Sequence, residues 1–148
     1  MAKQVFVMRQ AEGEALSVLG SRVKFVCSGD HTGRTWSLME CSAPRDVGPP
    51  PHHHEWDEAY YILAGKIRFS VDGRELVVAA GDFLFLPGGT VHGFAGMTDD
   101  ARLLIFDAPA HAESFFREVE REVKEMPRDL AKVPQIGDRH QIHFVRSS

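Results

Sequence analysis

The sequence predicts an all-β domain, an antiparallel sandwich or barrel, followed by one C-terminal α-helix. Three observations carry this. From about Val5 to Asp107 the apolar residues come in short runs of strand length, each bounded by turn residues. Helical spacing does not intervene between these runs, and strands so placed form antiparallel sandwiches or barrels. After Pro109 the apolar spacing changes to that of a helix.

The strand-length runs, in order, are "RVKFVCSG", "TWSLMECSA", "AYYILAG", "KIRFSVDG", "RELVVAAG", "DFLFLPGG", "TVHGFAG" and "ARLLIFD". In "KIRFSV", Ile67, Phe69 and Val71 alternate with Lys66, Arg68 and Ser70, so one face of that strand is buried. Asp72-Gly73 sits between two such runs and marks a tight hairpin, because glycine accepts positive φ at little cost. In "HAESFFREVEREVKEMP" the apolar residues are Phe115, Phe116, Val119, Val123 and Met126, and Pro127 supplies a stop. The spacing predicts a helix from about Ala112 to Met126 that packs its stripe on the outside of the barrel or across a dimer contact, remote from any metal. The tail "QIGDRHQIHFV" adds one short strand, with His140 and His143 structural or exposed. Residues 1–110 are thus expected to form the barrel with its site, and 111–148 a helical extension of the same domain.

A chain of 148 residues is long enough for one domain with a real apolar core. At 43% hydrophobic and 26% charged residues the composition is globular. No apolar run approaches the roughly 18 residues of a membrane span, and "MAKQVFVMRQ" lacks the apolar core of a signal peptide, so a cytoplasmic location is expected. The net charge of −4, with no basic stripe, argues against nucleic acid as a partner. Cys27 and Cys41 have no C-x-x-C spacing and read as free thiols.

The chemistry concentrates in "PPPHHHEWDEAYYILAG", Pro49 to Gly65. On a strand, His52 and His54 point to one face and His53 to the other. Glu58 follows four residues on, and His92 in "PGGTVHGF" comes after a turn that could swing the chain back across the barrel. Three imidazoles and a carboxylate suit a borderline divalent transition metal. Glu55 and Asp57 read as solvated. Strand faces put Tyr60, Ile62, Phe69, Phe83, Phe85 and Phe94 forward as inward residues, of which two or three would touch a ligand.

The spacings of His52, His54, Glu58 and Gly65, and then of Gly81, Pro87, Gly89 and His92, resemble the two motifs of the cupin superfamily. The resemblance spans Gly48 to Gly96, about a third of the chain. It implies a double-stranded β-helix, or jelly-roll barrel, with His52, His54, Glu58 and His92 holding one divalent transition metal (Fe, Mn, Ni, Co, Cu or Zn). Two departures stand out: Gly48 lies closer to His52 than usual, with Pro49 to Pro51 between, and Gly96 replaces the asparagine that often ends the second motif. The form "PPHHHEWDE" resembles the single-domain cupins related to quercetin dioxygenases. That implies a dioxygenase acting on a small aromatic or enol-type molecule, with Glu58 as a possible base. A redox-neutral isomerase or epimerase and a non-catalytic metal or small-molecule binding module are the alternatives that the fold also hosts. A homodimer is the expected assembly.

Overall fold

The computed structural model describes residues 3–145. Among the described residues, eleven strands form two antiparallel sheets that face one another. The first sheet has six strands: β1 (Ala15–Val18), β2 (Ser21–Cys27), β3 (Ser37–Ser42), β10 (Arg102–Ala108), β5 (Asp57–Ala64) and β8 (Phe83–Leu86), in that spatial order. The second has five: β11 (His143–Phe144), β4 (His52–His53), β9 (His92–Gly96), β6 (Lys66–Val71) and β7 (Arg74–Ala79). All eight runs read from the sequence are strands, and the architecture is the antiparallel barrel expected of them. At the hairpin between β6 and β7, Asp72 and Gly73 both have positive φ, at 48° and 82°.

Alternation decides what fills the interior. Ile67 and Phe69 on β6, Met39 and Cys41 on β3, Tyr60 and Ile62 on β5, and Leu103 and Ile105 on β10 all point between the sheets and are buried. The same rule corrects one expectation. Phe83 and Phe85 do not face inward but are 65% and 53% exposed. The register sets Phe83 opposite Tyr61 and Phe85 opposite Ala59, while Leu84 and Leu86 pair with the inward Tyr60 and Glu58. "FLFL" is apolar on both faces, so alternation alone could not choose between them.

The glycines of the expected motif edges sit where two backbones touch. A Cβ on Gly96 would run into the Ala43 carbonyl, and one on Gly48 into the Phe94 carbonyl. The loop from Ala43 to Pro51 lies directly on β9, with Asp46 N donating to Gly96 O at 2.9 Å and Phe94 N to Pro49 O at 3.1 Å. An asparagine at position 96 has no room here, which accounts for that departure.

Beyond β10 the chain forms a short 3-10 turn and two helices rather than one helix alone: α2 (Glu113–Glu122), the turn Arg128–Lys132, and α3 (Val133–Arg139). A further helical turn, α1 (Gly29–Thr32), connects β2 to β3. Helix α2 is shorter than its apolar spacing suggests. Val123 is already extended, and the buried Asp129 carboxylate accepts from Lys124 N at 2.9 Å and Glu125 N at 3.0 Å, which fixes a turn there. Met126 is exposed as a result. The expected tail strand is β11, which pairs with β4. No helix among the described residues is long and apolar enough to cross a membrane.

Candidate metal centre

His52 and His92 are direct cross-strand partners on β4 and β9, and His54 follows β4 immediately. The turn after β8 closes on them, as Gly89 N donates to His54 O at 2.7 Å. Asp57, expected to be only solvated, also holds this turn by accepting from Gly88 N at 2.9 Å. The three rings are buried, with centroids 4.4 Å (His52–His92), 5.2 Å (His54–His92) and 6.0 Å (His52–His54) apart. Each offers a ligand nitrogen within 4.8 Å of the others.

The backbone fixes which nitrogen that is. Nδ1 of His52 lies 2.8 Å from Pro50 O, Nδ1 of His54 3.1 Å from Trp56 O, and Nδ1 of His92 2.9 Å from Thr90 O. A carbonyl only accepts, so each Nδ1 carries the proton and each Nε2 is left with the lone pair when the ring is neutral. Such outer contacts are what orient imidazoles for a metal. His92 Nε2 is buried without a hydrogen-bond partner, and a bound cation would remove that deficit. Burial and the neighbouring His92 push His52 down to about 4, so it is neutral and able to ligate at neutral pH. The three residues fit a divalent transition metal by donor type, tautomer and orphaned atom.

Glu58, on β5, lies against two of the three, His54 and His92. Its Oε2 is 2.8 Å from His54 Nε2, its Oε1 is 3.7 Å from His92 Nε2, and Oε1 accepts from the Tyr60 hydroxyl. Burial would raise its pKa, but the His54 and His92 imidazoles and the Asp107 carboxyl outweigh that and hold Glu58 well below the usual range, ionised. Burial and the Glu58 charge push Tyr60 well up, so it stays a phenol that donates. For Asp107, burial and the same charge raise the carboxyl well above normal.

The site opens into a cavity of about 100 Å³. Of the expected inward residues, Tyr60 and Phe94 line it. Ile62 and Phe69 are fully buried one layer away, with Phe69 packed on Tyr60 at 4.9 Å and on Phe94 at 5.2 Å. Phe83 and Phe85 lie on the outside, as described above. His53 is half-buried on the opposite face, beside His143 at 5.4 Å. His143 and His140 pair instead with Asp138 and Glu118, both at 2.9 Å.

Helix α2 is not remote from this centre. Ala112, Phe115 and Phe116 line the cavity with His52 and His54, and the tail adds Ile142 and Phe144. Phe144 bridges them, 5.3 Å from the His52 ring and 6.1 Å from Phe115. Helical periodicity shows that a stripe is buried but not against what. Sequence reasoning also missed Trp56, which stacks on His54 at 4.1 Å and 7°, and Asp107. The latter left a signal: Leu103 and Ile105 set the inward face of β10, so the next alternate position carries an acid into the core.

A six-and-five-stranded antiparallel barrel with buried histidines on adjacent strands is the architecture of the cupins. Residues 38–108, just under half of the chain, match the family model Cupin_2, "Cupin domain". It is similar to the quercetin 2,3-dioxygenase of Bacillus subtilis strain 168, 26% identical over 113 residues, or 76% of this chain and 34% of that protein. The chain spans 34% to 53% of the length of the curated relatives it matches. Among solved structures, KdgF from Halomonas sp. superposes with a TM-score of 0.66 at 20% identity, covering 74% of this chain and 99% of that one. The polyketide cyclase RemF from Streptomyces resistomycificus gives 0.60 at 24%, covering 73% and 80%. At these identities the likeness is one of fold.

Proposed function

We propose that this protein is a metal-dependent dioxygenase acting on a small aromatic or enol-type substrate, with His52, His54, His92 and Glu58 as the ligands of one divalent transition metal. The observation that supports the reading is the set of three buried imidazoles, each held at Nδ1 by a backbone carbonyl so that its Nε2 turns to the site, with the Glu58 carboxylate against His54 and His92. The similarity to the Bacillus dioxygenase supports the choice of chemistry. When bound, the metal supplies a Lewis-acid and redox centre.

The rest follows from the chain's own groups. Tyr60 holds Glu58 Oε1, while Oε2 has His54 Nε2 as its partner. Once that nitrogen is engaged by a cation, Oε2 is free to ligate or to accept a hydroxyl proton from the substrate. Phe94, Phe115, Phe116 and Phe144 give the cavity an apolar wall that excludes water and suits an aromatic or enol skeleton better than a sugar phosphate. The experiment is oxygen uptake by metal-loaded protein on flavonols, diketones and catechols, for wild type and Glu58→Gln. Turnover per bound metal should fall by about 10²–10⁴ in the variant, the usual range for a general base, with metal occupancy reduced much less. Product formed without oxygen uptake would favour the isomerase reading, and tight binding without turnover the binding module.

A second copy of the chain is the proposed partner, seated on the outer face of the first sheet. Tyr61 and Phe83 are cross-strand neighbours there, Phe85 and Phe106 flank Ala59, and Trp36 stacks on Phe106 at 5.6 Å. All five are between 36% and 65% exposed. At roughly 200 Å² per aromatic side chain they leave about 450–500 Å² of aromatic surface in water. A two-fold pairing would cover about twice that, most of what a small specific interface needs.

A further inference from the structure

One row on the inner face of the first sheet goes beyond what the metal reading uses. Ser37, Asp107 and Glu58 are successive cross-strand neighbours on β3, β10 and β5, all buried and all inward. Deeper in the barrel the corresponding row is Cys41, Leu103 and Ile62. Asp107 is fully buried beside the Glu58 carboxylate and the Trp56 indole, and neither carboxyl oxygen lies within full hydrogen-bond distance of either. The Ser37 hydroxyl and the Trp56 indole N–H are buried and unpartnered as well. Buried polar atoms are nearly always paired, so the two of these residues that line the cavity, Asp107 and Trp56, call for an occupant. Asp107 and Trp56 line that cavity together with His52, His54 and Glu58, and Trp56 is held in place by its stack on His54.

The chemistry of the unpaired atoms defines the occupant. The indole N–H requires an acceptor, and the carboxyl oxygens offer acceptance. A hydroxyl satisfies both. No lysine or arginine lines the cavity, so an anionic group would find no counter-ion there.

We propose that Asp107 and Trp56, backed by Ser37, form a hydroxyl-binding subsite beside the metal centre that holds a second, non-coordinating hydroxyl of the substrate. The proposal rests on the reading of this cavity as the substrate site. It makes Asp107 a specificity residue that selects hydroxylated over deoxy aromatic substrates.

The test is binding, not turnover. Anaerobic, zinc-loaded protein is titrated with matched pairs of probes, pyrogallol against catechol and quercetin against 3-hydroxyflavone, with Trp fluorescence or calorimetry as the readout. Wild type should bind the more hydroxylated member of at least one pair about tenfold tighter or better. Asp107→Leu should erase that preference by weakening only the hydroxylated member, and Trp56→Phe, which keeps the ring but loses the N–H, should weaken it in part. Asp107→Asn should retain most of it, since an amide still bonds a hydroxyl. Zinc affinity of Asp107→Leu should stay within threefold, and the metal-free variant should melt close to wild type. Equal loss on both members of a pair, or a lowered melting temperature with the preference intact, would show a structural role and overturn the proposal. So would a wild type without preference, or a crystal structure of the pyrogallol complex in which only water touches Asp107. Absence of oxygen uptake with the binding preference intact would overturn the dioxygenase reading alone.

Discussion

Stripping the protein of metal and titrating zinc back, in wild type and in three alanine variants, tests the centre most directly. A ligand that binds only the folded state adds about 2.7 kcal/mol at a free concentration a hundred times its dissociation constant. For a domain of this size each kcal/mol moves the melting temperature by about 2–4 °C, so saturating zinc should raise it by about 5–11 °C. The structure says which variants lose that increment. His92 contributes an Nε2 that is buried and unpartnered, and His52 is its cross-strand neighbour, so His92→Ala and His52→Ala should lose most of the shift. His53 faces the other way, beside His143, and His53→Ala should keep it. The increment, not the absolute melting temperature, is the measure, because His52 also packs on Phe144. Differential scanning fluorimetry with and without zinc, alongside elemental analysis, supplies both numbers. A His53→Ala variant that loses the shift as fully as His92→Ala would refute the ligand assignment. Unfolding of the wild type on chelation would refute the view that the core of Phe69, Ile67 and Leu103 stands without the metal.

Phe115→Ala should cost about 3–5 kcal/mol, as for other buried phenylalanines, and should alter probe binding in the cavity while zinc affinity stays within a few-fold; calorimetry on the two ligands separates these. Phe83→Glu with Phe85→Glu should convert a dimer to a monomer by light scattering without loss of zinc, and a wild type that is monomeric at high concentration would rule out the second copy. Arg139, then His140, hold Glu118 down at about 2. A depressed carboxyl contributes stability that is complete above its unfolded value near 4.5 and is lost as pH falls through about 2. The urea midpoint of wild type should therefore fall more between pH 5 and pH 2 than that of Glu118→Gln, and parallel curves would show that the cluster contributes nothing.

Strand alternation makes most of the barrel legible in the sequence. Ile67 and Phe69 are inward because their polar neighbours cannot be. Alternation fails where both faces are apolar, as in "FLFL", since there only the register with Tyr61 and Ala59 decides. Periodicity fails for α2 because an amphipathic stripe does not name its partner; here the partner is the wall of the site. The histidines of the centre are legible from spacing, whereas the Nδ1 contacts that fix their tautomers come from the carbonyls of Pro50, Trp56 and Thr90, which a residue of any type can supply. The hydrogen-bonded cluster of Glu118, Arg139 and His140 spans two helices and a turn, and its members carry no mark of one another in the chain.

Strand β11 has a consequence for anyone who handles the protein. Its two residues pair with His52 and His53, and Val145 N donates to Pro51 O at 3.0 Å. This strand thereby braces the one that carries His52. A version cut back to position 140 would retain every histidine of the centre and still be scored in a screen as a metal-binding defect. A fusion joined at that point would carry the same penalty, and a molecule that peeled the tail away would act as an inhibitor without ever entering the pocket.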